Sequence, residues 1–193
     1  MWNPGFPYID DRPALIHGYH RSLCIKSTNY RGTPDHPGLV LGLDRGGSCC
    51  GRAFLVAAEH VNATVAYLDE REQITKVYCP RFIDAQLNDG RTVSTYTFVA
   101  RHEHEQYSKL SIDEQAHLVA TGKGDRGTAL DYLPNTLKHI DALVIADPKM
   151  YAEYAHAHTL QTNDYTTSLP HSTTQSITDP FLKNITERSH FIL

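Results

Sequence analysis

Short apolar runs separated by polar turns make the first part of the chain read as β-rich. Ala14-Leu15-Ile16-His17-Gly18-Tyr19 and Leu23-Cys24-Ile25 are two such runs. Leu39-Val40-Leu41-Gly42-Leu43 is a candidate buried strand, Asp44-Arg45-Gly46-Gly47 a hairpin turn, and Cys49 to Val56 the return strand. The period then lengthens. Ala57 to Glu70 reads as a helix with Val61, Val65 and Leu68 on its apolar face. Ile74 to Tyr78 turns strand-like again. Gln86 to Val99 holds a hairpin whose turn is Asn88-Asp89-Gly90, followed by the β-branched and aromatic stretch from Thr92 to Val99.

The second part is helical. Ser111-Ile112-Asp113-Glu114 is a capping box opening a helix that Gly122-Lys123-Gly124 closes. A second helix is expected from Leu130 to Ile145, with Pro134 tolerated in its first turns. A third is expected to start at Asp147-Pro148 and run through Tyr154. Strands first and helices after predict an α+β fold, a small bent mixed sheet or barrel with flanking helices. The expected domain covers residues 1–160. Residues 161–193, rich in Thr and Ser, are expected to be a polar, loosely packed tail with one short element at Pro180 to Leu182.

Composition narrows the function more than the fold. A chain of 193 residues can bury a core without disulfides or metal. A net charge of −4 does not argue for electrostatic binding to nucleic acid or an anionic membrane. No run approaches the roughly 20 apolar residues of a membrane helix, and Met1 to Pro7 has no signal-peptide character. The four cysteines form no Cys-x-x-Cys pair, and adjacent Cys49 and Cys50 would point to opposite faces of a strand. Reduced thiols in a cytoplasmic protein are expected. Of the twelve histidines, His102 with His104 and His156 with His158 suggest metal sites, but a solvated surface is the better reading of both pairs.

Three segments carry candidate chemistry. Tyr67-Leu68-Asp69-Glu70-Arg71-Glu72 sets four ionisable residues at a helix C-terminus, where carboxylates oppose the helix dipole. On the residues alone a solvated helix end is the better reading, and the unfavourable placement is only a weak hint of function. The loop Ser27 to Gly38 is either a rigid connector or a substrate gate in which Arg31 engages a carboxylate. Gly122 to Gly127 follows a helix and lacks the Gly-Lys-Ser/Thr ending of a phosphate loop. There is also no Gly-x-Ser-x-Gly elbow for a serine nucleophile.

Read together, these pieces resemble the ChaC-like family of γ-glutamyl cyclotransferases. The matching segments are Trp2-Asn3-Pro4-Gly5-Phe6-Pro7-Tyr8, Ser27-Thr28-Asn29-Tyr30-Arg31-Gly32-Thr33-Pro34, Pro37 to Leu43, Gly51-Arg52-Ala53-Phe54, Tyr67 to Glu72, and Leu130-Asp131-Tyr132-Leu133. The resemblance implies glutathione as substrate, 5-oxoproline and Cys-Gly as products, and no cofactor. It implies Glu72 as the catalytic acid/base and Arg31, Gly32 and Tyr132 as substrate-binding residues. Two departures stand out. Family members carry a first strand ending in Tyr-Gly-Ser-Leu, and Met1 stands just after the place where that motif would end. The expectation is therefore a truncated reading, or else an impaired relative, with the first strand and the substrate loop missing and little activity. Ala129 stands where the family often has Asn. Two other readings remain open: a non-catalytic γ-glutamyl-binding or regulatory domain, and a cyclotransferase for other γ-glutamyl compounds.

Overall fold

Two 18-residue strands, β1 (Asp10–Ser27) and β2 (Gly38–Leu55), pair antiparallel along nearly their whole length. The structure, a computed structural model, describes residues 4–143, 145 and 147–167, with Asn163 to Thr167 as backbone only. The two short runs expected at Ala14 to Tyr19 and Leu23 to Ile25 are therefore one strand. The expected hairpin turn at Asp44 to Gly47 is a β-bulge inside β2. Pairing passes from His17 with Ser48 to Tyr19 with Arg45, and Gly18, Gly46 and Gly47 take φ of 82°, 96° and 67°. Positive φ suits a bulge as well as a hairpin turn, and a partner strand as long as β1 carries the chain straight on. A second register shift lies between Leu23 and Ile25. Each shift bends the sheet.

Helix α1 (Val61–Glu72), preceded by a single 3₁₀ turn, leads to β3 (Tyr78–Leu87) and β4 (Thr92–Ala100). These strands form the expected hairpin, with Gly90 at φ 87° in its turn. Only Tyr78 of the run expected as a strand at Ile74 to Tyr78 is in β3. Lys76 has φ 59°, and the chain turns there. The sheet order is β2-β1-β3-β4, antiparallel throughout. Leu43 and Cys49 of β2 share a core cluster with Val99 of β4, although the two strands are not adjacent. The sheet is thus curled toward a barrel.

Helix α2 (Ile112–Thr121) opens with the expected capping box, Ser111 and Glu114 bonding reciprocally. A small hairpin of β5 (Lys123–Gly124) and β6 (Gly127–Thr128) follows. Helix α3 (Ala129–Ala142) starts where the Thr128 hydroxyl accepts from Asp131 N–H at 3.0 Å, and it ends three residues short of the expected Ile145. Helix α4 (Pro148–Thr167) runs well beyond the expected Tyr154. Residues 168–193, including Pro180 to Leu182, lie outside the described residues. The main core joins Leu23, Leu39 and Leu41 of the β1–β2 pair to Val119, Leu133 and Ile140 of α2 and α3.

Candidate active site

Helix α1 buries Thr64, Leu68 and Glu72. Residues four apart share one helix face, so this is a single stripe. It differs from the expected face of Val61, Val65 and Leu68, since Val61 is exposed. Leu68 packs on Phe98 among Phe6, Phe54, Tyr78 and Tyr96, and Glu72 continues the stripe one turn further. The acidic run at this helix end thus divides by role. Asp69 accepts from the Tyr96 hydroxyl at 2.5 Å and ties α1 to β4. Glu70 is exposed. Arg71 donates from Nε to Glu72 Oε1 at 2.9 Å and from Nη1 to the Pro4 carbonyl at 2.9 Å. Past the helix, Gln73 Nε2 donates to the Tyr78 carbonyl at 3.0 Å, which fixes the start of β3 beside Glu72.

The loop between β1 and β2 is locked to the β5–β6 hairpin. Asp125 N–H donates to Asn29 O and Arg126 N–H to Tyr30 O, each at 2.9 Å. The buried Arg31 donates its own N–H to Ser27 Oγ at 3.0 Å, and its Nη1 to the Arg126 carbonyl and, at 3.3 Å, to Thr128 O. Its guanidinium also lies 5.6 Å from the centre of the Tyr132 ring. Gly32 sits where the strands of this knot cross. A Cβ there would meet Gly38 N at 2.0 Å and Ser27 O at 2.4 Å. Ala129, at the position of the family's frequent Asn, is fully buried against Gly38.

These elements enclose a cavity of about 210 Å³ whose wall includes Glu72, Arg71, Tyr78, Arg31, Tyr132 and Arg126. Three of the four residues singled out in the sequence, Glu72, Arg31 and Tyr132, therefore meet in one place. Gly32 is not part of the wall and contributes through backbone packing. Sequence reasoning did not single out Tyr78 or Arg126. Tyr78 ends the run expected as a strand, and its place in the wall depends on the α1–β3 turn. A larger cleft of about 500 Å³ lies between α1 and the β2 and β4 strands. Its ionisable groups are half-exposed or exposed, and Asp10 and Arg12 pair with each other there. Of these two, the smaller is the one lined by a buried carboxylate.

Burial raises the pKa of Glu72 above the ordinary glutamate value, and Arg71 pulls it part of the way back. Burial also pushes the Tyr78 hydroxyl well up, with nearby Tyr132 and Glu72 adding to the effect, and burial raises Tyr132. Both hydroxyls therefore stay protonated. The Tyr78 hydroxyl donates to Leu41 O at 3.2 Å, and the Tyr132 oxygen accepts from Leu41 N–H at 3.4 Å. The Cys24 thiol is pushed up to about 12 by burial, which makes it a poor nucleophile. Of the four histidines in the two His-x-His pairs, His102 is neither a free surface group nor part of a cluster. Its Nε2 lies 2.6 Å from Asp44 Oδ1 and its ring stacks on Tyr107. His156 pairs with Asp113 at 3.0 Å. Among the described residues, no three His, Cys, Asp or Glu side chains group so as to hold a metal, and no helix is long and apolar enough to cross a membrane.

A family model described as ChaC-like protein matches residues 1–159. The chain is 34% identical over 134 residues to the glutathione-specific γ-glutamylcyclotransferase of Escherichia coli (strain K12), covering 69% of this chain and 58% of that protein. It is 28% identical over 144 residues to γ-glutamylcyclotransferase 2-3 of Arabidopsis thaliana, covering 70% of this chain and 72% of that one. The matched segment therefore spans less than two thirds of the bacterial relative's length. The crystal structure of a yeast γ-glutamyl cyclotransferase specific to glutathione shares the fold, with a TM-score of 0.71 at 20% identity, over 81% of this chain and 90% of that one.

Proposed function

Because the chain belongs to the ChaC-like family, we propose that it is a γ-glutamylcyclotransferase that cleaves glutathione to 5-oxoproline and Cys-Gly, with Glu72 as the acid/base. One observation carries this reading: Glu72 is a buried carboxylate with a raised pKa in the wall of a cavity of about 210 Å³. A group tuned toward neutrality suits proton transfer in both directions.

In this reaction the α-amine of the γ-glutamyl group attacks its own γ-carbonyl. The five-membered lactam closes, the amide C–N bond breaks, and the Cys-Gly amine leaves. The closure is intramolecular and gains from proximity. Glu72 takes a proton from the attacking amine and returns one to the leaving amine. The Tyr78 hydroxyl, kept protonated by burial, turns from Leu41 O to the oxyanion of the tetrahedral intermediate. Arg31 and Tyr132 shape the substrate end of the wall, and Gly32 lets the loop close. The unpaired cysteines fit a reducing, cytoplasmic setting.

The test is release of 5-oxoproline from glutathione, compared with the Glu72→Gln protein. Loss of the acid/base should reduce turnover by at least about 10²–10⁴ while glutathione still binds. Equal turnover in the two proteins would remove Glu72 from the reaction. Binding without turnover in the unmutated protein would make the chain a γ-glutamyl-binding module instead.

A further inference from the structure

Four cations and one anion line the cavity that holds Glu72. The cations are Lys26, Arg31, Arg71 and Arg126, in a chain whose net charge is −4. A local positive excess in an acidic protein suits a ligand carrying more than one carboxylate. Two of the cations are engaged within the fold: Arg71 on Glu72, and Arg31 on the carbonyls of Arg126 and Thr128. Lys26 Nζ is held by no ion pair among the described residues.

Arg126 is placed differently. It is exposed at the rim, and no carboxylate of the described residues pairs with it. Its guanidinium lies over the Tyr30 ring, 4.6 Å from the centroid. Its backbone is fixed on both sides, by Tyr30 O at 2.9 Å and by the Arg31 guanidinium. A guanidinium lying over an aromatic ring, with no carboxylate on it, keeps N–H donors available for a carboxylate. Because the ring and backbone already hold it, little ordering cost remains on binding.

On the reading of this site as a γ-glutamylcyclotransferase, we propose that Arg126, seated on Tyr30, binds the C-terminal carboxylate of the leaving dipeptide and so selects substrates that end in a free carboxylate. Depth sets the direction. Glu72 is 9% exposed and Tyr30 40%, so the reacting γ-glutamyl end lies inward and the peptide end reaches the rim. Arg126 takes no part in bond making, so its effect falls on binding rather than on turnover at saturation.

The experiment is calorimetric titration of glutathione, and of glutathione esterified at its glycine carboxylate, into the Glu72→Gln protein with and without Arg126→Met. The substitution should weaken glutathione about tenfold and leave the ester, already weaker, unchanged. Arg126→Lys should recover part of the loss. The proposal is overturned if Arg126→Met binds glutathione as tightly as its parent, if both ligands weaken equally, or if Lys26→Met reproduces the effect. Failure of glutathione to bind at all overturns both this proposal and the proposed reaction. The reaction is judged separately, by 5-oxoproline release with Glu72 intact. Its absence, with carboxylate-dependent binding retained, would remove the chemistry and leave Arg126 in its role.

Discussion

Arg71 and Glu72 are consecutive residues of one helix, yet they form an ion pair with each other, Nε to Oε1 at 2.9 Å, with 11% and 7% of their side chains exposed. Neighbours on an α-helix point about 100° apart, so the pair closes only because the guanidinium folds back. The Pro4 carbonyl and the Tyr67 hydroxyl hold it there, at 2.9 and 3.2 Å. The pair sets the ionisation of Glu72 through two opposed effects: burial favours the neutral acid, and Arg71 favours the carboxylate.

Arg71→Met removes the second effect, so the Glu72 pKa should rise further. If Glu72 acts as the base, the acid limb of the kcat/KM profile should move to higher pH, with Arg71→Lys between the two proteins. The lost bond to the Pro4 carbonyl should cost about 1–3 kcal/mol of stability, read by urea unfolding. An unmoved acid limb would detach Arg71 from the ionisation of Glu72.

Glu72→Gln should change stability in a pH-dependent way. The folded pKa lies above the ordinary value of 4.5, so the native state holds this proton longer than the unfolded chain does. The favourable contribution of neutral Glu72 is fully present below that ordinary value and is lost as pH rises through the raised one. Glutamine does not titrate. The variant should therefore gain on the parent across that window, and the difference should be constant below it. Urea midpoints at a series of pH values would measure this, and a difference independent of pH would contradict the raised pKa.

Tyr78→Phe removes one hydrogen bond, to Leu41 O, and should cost about 1 kcal/mol of stability. If the hydroxyl serves the oxyanion, kcat should fall by about 10² with KM little changed. A fall in stability without a fall in kcat would restrict Tyr78 to a structural role.

Gly32→Ala forces a Cβ to within 2.0 Å of Gly38 N, and the obstacle is backbone. The loop must shift, at a cost of about 1–3 kcal/mol, and Arg31 shifts with it. The expected outcome is a lower Tm together with a raised KM for glutathione. An unchanged Tm would show that the loop can yield without strain.

The sequence was informative wherever a local signal had one structural meaning. Asn88-Asp89-Gly90 gave its hairpin, and Ser111 with Glu114 gave the start of α2. It misled where one signal had two. Gly46-Gly47 marks a turn or a bulge equally well, and only the length of β1 as a partner decides between them. On α1 the apolar valines pointed to the wrong face, because Thr64 and Glu72 share the buried stripe with Leu68. A face drawn through those three would have shown Glu72 to be buried before any resemblance was invoked. Arg31, Tyr132 and Glu72 could be singled out through the family motifs. Tyr78 and Arg126 could not, since their places depend on tertiary contacts: the α1–β3 turn for one, the docking of the β5–β6 hairpin on a distant loop for the other.

That docking also dictates an order of assembly. The bonds from Asp125 to Asn29 and from Arg126 to Tyr30 join segments almost a hundred residues apart. Closing a flexible loop of that length costs on the order of 4 kcal/mol in chain entropy. The β1–β2 and β3–β4 hairpins close much shorter loops and can form earlier. The rim of the cavity should then be among the last parts of the molecule to form during refolding. Mutations at Arg126 or Gly124 should speed unfolding while leaving the folding rate nearly untouched.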